Sequence, residues 1–296
     1  MAKRNFYFVG FGNMAQAIYQ RMDKKDYGII GIFESDEIQE RIIKTRQIKR
    51  KDSSEDFYLS SETMICGEAW GERYSNNISS SDIFLLAVKP ADIKFACETH
   101  NSFFKQEEIE PNIISIAAGV TTDCIAEYLG GNYNSGKIVR AMPNLCAKKG
   151  MAMTGLYGDS FYFKSGTSPE GKLISEIFKS IGQVLWVSKE SELDSVTAIS
   201  GSGPAYIYYV MNAMIEAAQE LGLEKSVAQK LVAQTIIGAG ETGKDINELG
   251  SDIIKVSSKG GTTEKAIDVF KQKKLDTIIK QAVKAAHKRS KELSKQ

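Results

Sequence analysis

The chain has 296 residues, 42% of them apolar and 25% charged, which suits one large domain or two ordinary ones with a real core. Its formal net charge of +1 gives no footing for a polyanionic partner, and it holds no apolar run long enough to cross a bilayer. Four cysteines without paired spacing and only two histidines leave little material for a zinc site or a Ser-His-Asp triad, so a bound cofactor is the natural carrier of any chemistry.

The chain opens "MAKRNFYFVGFGNM". Its apolar run is broken by Asn13 and Gln16, and it reads as a first strand rather than a signal peptide. Cys66, Cys97, Cys124 and Cys146 are read as reduced thiols of a cytoplasmic protein. A helix is expected over 13–22. "VGFGNMAQAI" therefore sets Gly10-x-Gly12-x-x-Ala15 between a strand and a helix, the context of a dinucleotide fingerprint. One glycine makes the tight turn, the next lets the backbone approach the pyrophosphate, and the small third residue allows close helix packing. Gly10, Gly12, Asn13 and Met14 are the candidate cofactor contacts here.

"GIIGIF" is the second strand, and it runs into Glu34, about 20 residues past the fingerprint, where a carboxylate can bind the adenosine ribose. No cation follows at once, Arg41 being the nearest, so NADH and NADPH are both expected as cofactors with a lean to NADH. Residues 48–80, with "KRKDSSED" and "NNISSS", read as a surface excursion with little regular structure.

"DIFLLAV" is the third strand, running into Ala87, Val88, Lys89 and Pro90. "NIISIAAG" is the fourth, where Ala117, Ala118 and Gly119 leave room for a flat ring. His100, in a polar stretch between them, is expected at the surface, as is His287 in a basic helix near the end of the sequence. "GKIVRAM" is the fifth strand. "MAMTGLY" and "GQVLWVS" are further strands around the helix "SPEGKLISEIFKSIG". Short apolar runs at this spacing predict parallel strands buried on both faces.

Past about residue 190 only helical patterns are found, which sets the domain boundary at Lys189 and Glu190. The fold class is thus an α/β Rossmann-type domain with a mostly parallel sheet, residues 1–189, followed by an all-α domain, residues 190–296. "YIYYVMNAM" is apolar nearly all round, as a helix buried against a partner subunit would be. In "VSSKGGTTEKAI" two glycines and two threonines open a late helix. A bare helix N-terminus suits an anion such as a carboxylate, although an ordinary helix start with Thr262 or Thr263 as N-cap has the same residues.

In this order "VGFGNMAQAI", "AVKP", "SIAAGV", "VRAMPN", "ELDSVTAISGSGPAY", "GGTT" and "AVKAAHKRSKEL" resemble the pyrroline-5-carboxylate reductase family over nearly the whole chain. "TAISGSGPAY" and "GGTT" are the most specific pieces. The resemblance implies NAD(P)H-dependent reduction of 1-pyrroline-5-carboxylate to L-proline, a helical dimerisation domain, and Asn144 beside the cofactor. It also implies a substrate carboxylate held by the Ser258, Gly260, Gly261, Thr262 and Thr263 loop, with the Thr263 hydroxyl on the ring nitrogen as the catalytic contact. Two rival readings are a β-hydroxyacid-dehydrogenase-like reductase and a nucleotide-binding scaffold with weakened catalysis. The first is opposed by the absence of a G-x-x-x-K-x-x-N helix after "SGSGPAY", the second by the intact "GGTT". The chain departs from the family in having Lys259 and Cys146 where proline is usual, and in the longer segment before Ser81. Loss of proline raises loop entropy without deleting a chemical group.

Overall fold

The computed structural model describes residues 4–33, 57–60, 78–244 and 249–294. Eight strands form one sheet in the order β3-β2-β1-β4-β5-β6-β7-β8. They are β1 (Arg4–Val9), β2 (Tyr27–Phe33), β3 (Phe57–Ser60), β4 (Ile83–Leu86), β5 (Asn112–Ser115), β6 (Ile138–Met142), β7 (Ala152–Gly158) and β8 (Gly182–Trp186). All neighbours are parallel except β6 and β7, which are antiparallel. The chain runs outward from β1 to β3, then returns to lay β4 on the other side of β1. That reversal creates a crevice at the carboxyl ends of β1 and β4.

The two faces of the sheet follow the period of two in β1. Phe6 and Phe8 point to one side, where they join Ile83, Leu85, Ile114 and Val139. Helices α1 (Asn13–Arg21) and, later in the chain, Pro169–Lys179 cover that side through Ile18, Ile174 and Phe178. Tyr7 and Val9 point to the other side with Phe84, Leu86, Ile113 and Ile138. There α2 (Ile93–Gln106) and α3 (Thr122–Tyr128) supply Ile93, Cys97, Phe104 and Ile125. A phenylalanine buried at such a site stabilises the fold by on the order of 2–3 kcal/mol. The helix Pro169–Lys179, now α4, starts at Ser168, whose hydroxyl accepts from Gly171 N at 3.0 Å, with Pro169 in the first turn.

Two expectations need correction. Within residues 48–80, read as a surface excursion with little regular structure and described only at 57–60 and 78–80, Phe57–Ser60 joins the sheet as β3 and pairs in parallel with β2, Ile30 opposite Phe57 and Phe33 opposite Ser60. Four residues between polar runs carry too weak a local signal, and the neighbouring strand supplies the pairing. His100, expected at the surface, is buried on α2. Its Nδ1 lies 2.7 Å from Ala96 O and its ring packs edge-on against Phe84. Burial pushes its pKa below the usual range, so it is a neutral core residue.

The chain divides into two compact units, residues 1–201 with 287–296, and residues 202–286. The Lys189–Glu190 boundary drawn from the sequence falls inside the first unit. There α5 (Glu192–Val196) follows β8, and Thr197–Gly201 forms a π-helical turn. A Cβ on Gly155 of β7 would lie 2.8 Å from Val196 Cγ1 and 3.1 Å from Leu193 Cδ2, so glycine is what allows α5 to lie so close to the strand.

The second unit holds α6 (Gly203–Glu220), α7 (Lys225–Thr242), α8 (Leu249–Val256), α9 (Thr262–Gln272) and the first part of α10 (Leu275–Leu293). Gly222, at φ +91°, ends α6, and Leu223 N reaches back to Ala218 O at 3.0 Å. Among the described residues of this unit only Ala228 and Val232 are buried.

Candidate functional site

Gly10 ends β1 at φ +85°. A Cβ there would lie 2.7 Å from Val88 Cγ1 and 2.9 Å from the backbone of Ala87 and Val88. Ala87 N donates to Val9 O at 2.7 Å, which brings the β4 exit against the β1 exit. Only glycine fits both this conformation and this contact. Gly12 is the reverse case. It is the N-cap of α1, and a Cβ on it would meet nothing within 4 Å. The open side of Gly12 is where a ligand can approach the backbone. Asn13 and Met14 open the helix with no side-chain cap and no acidic residue in the first turn. Their N–H groups have no acceptor inside the helix, and the helix dipole favours an anion there. Gln16 Nε2 donates to Phe11 O at 2.8 Å and fixes the loop from below, while Ala15 is buried against the sheet.

The neighbouring exits complete the crevice. Lys89, exposed, precedes a short 3₁₀ turn at Pro90–Asp92. After β5, Ala117 N donates to Ser115 Oγ at 3.3 Å and Gly119 turns at φ +80°. Thr121 caps α3 by accepting from Cys124 N at 3.2 Å. Glu34 lies outside the described residues. Asn144, after β6, is buried and tied within the protein. Its Nδ2 donates to Ser200 O at 3.1 Å and Ser200 Oγ at 3.0 Å, and its Oδ1 accepts from Cys146 N at 3.2 Å. With those polar atoms engaged, Asn144 reads as the link between the β6 exit and the π-helical turn.

The sequence reading missed a part-buried ion pair. Arg140 Nη1 lies 3.0 Å from Glu190 Oε1, and the same carboxylate accepts Thr122 N at 2.8 Å and Thr122 Oγ1 at 3.3 Å. Glu190 thus neutralises a charge inside β6 and caps the first turn of α3. The signal was an arginine in the middle of the apolar strand "KIVRAM", a charge that folding must match.

In the helical unit, Ser258–Gly261 forms a turn. Gly261 N donates to Ser258 O at 2.9 Å, and Gly260 at its third position has φ +77°. That is the layout of a type II turn, in which proline suits the second position, held here by Lys259. Gly260 N donates to Glu264 Oε2 at 2.7 Å. A Cβ on Gly261 would sit 2.5 Å from Ser258 Oγ and 2.9 Å from Ser258 O, so the turn itself requires that glycine. Gly261, not Thr262 or Thr263, is the N-cap of α9. Gly261 N–H, expected on a substrate carboxylate, is engaged inside the turn. Thr262 and Thr263 are left as the first two helical residues, whose N–H groups have no acceptor within the helix.

A family model described as pyrroline-5-carboxylate reductase dimerisation matches residues 190–293. A pyrroline-5-carboxylate reductase of Pseudomonas aeruginosa is 34% identical over 226 residues, which are 76% of this chain and 79% of that protein. One of Pasteurella multocida is 30% identical over 298 residues, 100% of this chain and 99% of that protein. Among solved structures, a pyrroline-5-carboxylate reductase of Coxiella burnetii matches with a TM-score of 0.78 at 32% identity, over 99% of this chain and 100% of that one.

Proposed function

The chain belongs to the pyrroline-5-carboxylate reductase family, and from that membership we propose which of its groups carry the reaction. It is an NAD(P)H-dependent oxidoreductase that reduces 1-pyrroline-5-carboxylate to L-proline, the last step of proline biosynthesis, and it works as a homodimer. The β-hydroxyacid dehydrogenase reading gives way to this one. In functional terms the domains divide at residue 190, where the match to the dimerisation model begins.

The cradle at Gly10, Gly12, Asn13 and Met14 fits a dinucleotide, because the open side of Gly12 adjoins a helix N-terminus without an acidic first turn. When bound, NAD(P)H supplies a hydride to the imine carbon. The protein's own groups bind and orient. Ala87, Val88, Lys89 and Pro90 line the β4 exit, and Ala117, Ala118 and Gly119 offer small residues to the nicotinamide. Glu34 binds the adenosine ribose, which favours NADH modestly. Asn144 holds the β6 exit at the crevice through Ser200 rather than by its own contact.

On the substrate side, the observation that carries the assignment is the turn geometry. Gly260 N–H is engaged by Glu264 of α9 and Gly261 N–H by Ser258 O of the turn, leaving those of Thr262 and Thr263 for the carboxylate, with Ser258 Oγ nearby in the turn. The Thr263 hydroxyl donates to the ring nitrogen as that atom gains amine character. No side-chain base is required, and positioning with electrostatics provides the rate. Among the described residues no helix is long and apolar enough to cross a membrane, and the reduced-thiol reading of the cysteines supports a cytoplasmic site of action.

Steady-state kinetics test these roles. Thr263→Ala is expected to lower kcat by about tenfold to a thousandfold, because one donor to the developing charge is lost. Gly261→Val is expected to raise the KM for pyrroline-5-carboxylate by disrupting the turn, with cofactor KM little changed. Wild-type kcat in Thr263→Ala would return Thr263 to a plain helix residue. A preference for NADPH above about tenfold in kcat/KM would remove Glu34 from the ribose.

A further inference from the structure

We propose that the last turn of α10, through Ser290, Leu293 and Ser294, is a positioning element for the cofactor loop Ala117–Gly119. This rests on the reading that the loop meets the nicotinamide end of the cofactor. Residues 287–296 belong to the same compact unit as the sheet, although α10 begins in the other unit. What fastens them there is a bond across 96 positions of sequence. Ser290 Oγ donates to Asp194 Oδ1 at 2.7 Å, with both residues buried, and Ser294 Oγ donates to the same oxygen at 3.3 Å.

That anchor lays the helix end on Gly119. A Cβ there would lie 3.0 Å from the Leu293 carbonyl carbon and 3.1 Å from its Cβ and oxygen. Loop backbone and helix backbone therefore meet with no side chain between them, and Gly119 at φ +80° is what permits it. Hydrogen bonds hold the loop at either end. Ala117 N donates to Ser115 Oγ at its start, and Thr122 N donates to Glu190 Oε1 at its end. Neither touches the residues between. The helix end supplies the restraint in the middle, and one short segment serves both flanks: Glu190 clamps Thr122, and Asp194 anchors Ser290. Ala117 and Val120 pack on the core, while the half-buried Ala118 and Gly119 between them have at most a methyl group to pack, so the helix end is the wall that sets their position.

Ser290→Ala, Asp194→Ala, Asp194→Asn and a chain lacking residues 290–296 distinguish this role from a simple stitch. With NADPH as the varied substrate, Ser290→Ala and Asp194→Ala are each expected to raise its KM about threefold to tenfold, and the double variant no more than Asp194→Ala alone, since Asp194 is the acceptor for both serines. Asp194→Asn keeps an acceptor oxygen and is expected to return most of the loss. The shortened chain is expected to show the largest rise. The KM for pyrroline-5-carboxylate should stay within about twofold, because the proposed carboxylate contacts are the groups of Ser258, Thr262 and Thr263 and not of this loop. A merely structural stitch would lower thermal stability and the active fraction while leaving NADPH KM in place, and that result overturns the proposal. If the shortened chain does not fold, the point variants decide. Ala118→Leu separates the two levels of the argument: it should raise NADPH KM if the loop meets the cofactor. An unchanged value there overturns the loop reading and the proposal together, whereas a rise there with wild-type values in Ser290→Ala and Asp194→Ala overturns the proposal alone.

Discussion

In the sheet unit Phe6, Tyr7, Phe8, Phe84 and Phe178 are wholly buried, while in the helical unit Tyr209 keeps 82% of its surface exposed, Ile254 73% and Val256 68%. The two units are similarly apolar in sequence but close their surfaces differently. Strands of the first unit are covered on both faces by α1–α4 of the same chain. Helix α6 of the second has no buried residue at all. A helix that is apolar nearly all round is stable in water only when something covers it, and in a homodimer the second copy is available to do so. The sheet unit therefore contains its own stability, and the helical unit shares it.

The largest expected effect follows from that contrast. If α6 is the face a second copy covers, replacing Ile207 and Val210 with aspartate buries unpaired charges there, each costing several kcal/mol, and should weaken the dimer by more than about a hundredfold. Light scattering after gel filtration measures it, and near-UV circular dichroism should show the sheet unit still folded. An unchanged dimer would break the comparison.

Next in size is Glu190→Ala, inside the sheet unit. Arg140 would stay buried without its partner, and unfolding in urea should show a loss of about 3 kcal/mol with the dimer intact. Glu190→Gln, which keeps an acceptor for Thr122 N, should lose less. Gly10→Ala comes third. It places a Cβ against the β4 exit at a positive φ, at a cost of about 2–3 kcal/mol, whereas Gly12→Ala meets open space and should change stability by less than about 0.5 kcal/mol. Both should weaken NADPH binding, so stability and cofactor titrations together separate the packing glycine from the ligand glycine.

The smallest expected effect lies in the helical unit. Lys259→Pro would preset the second position of the Ser258–Gly261 turn and should raise stability by about 0.4–1 kcal/mol, through the unfolded chain rather than through any new contact. A loss of stability in thermal melts would show that Lys259 does not occupy proline-like geometry, and it would make the departure from the family's usual residue a local adaptation rather than a loosened turn.

Much of this molecule could be read from residues alone. The alternation of Phe6 and Phe8 with Tyr7 and Val9, the strand-glycine-helix order at Gly10 and Gly12, and the glycine entrance of α9 are local patterns, and local patterns survive folding because backbone sterics and helix ends act over a few residues. Strand β3 was lost because four residues cannot announce a strand without the neighbour they pair with. His100 was misplaced because its polar sequence neighbours lie on the outer side of a helix whose inner face it shares with Cys97 and Phe104.

By itself, then, the sequence determined the fold class and the family, and it singled out the turn proposed for the cofactor and the helix proposed for the dimer contact, each from contiguous residues or a steady period. Tertiary structure decided that Gly261 N–H closes its own turn, that Asn144 serves Ser200, that Glu190 joins β6 to α3, and that Ser290 and Leu293 return to Asp194 and Gly119. These are contacts between residues up to about a hundred positions apart or choices among equivalent donors. No local periodicity encodes them, because a hydrogen-bonding group takes whichever partner the packed chain brings within about 3 Å.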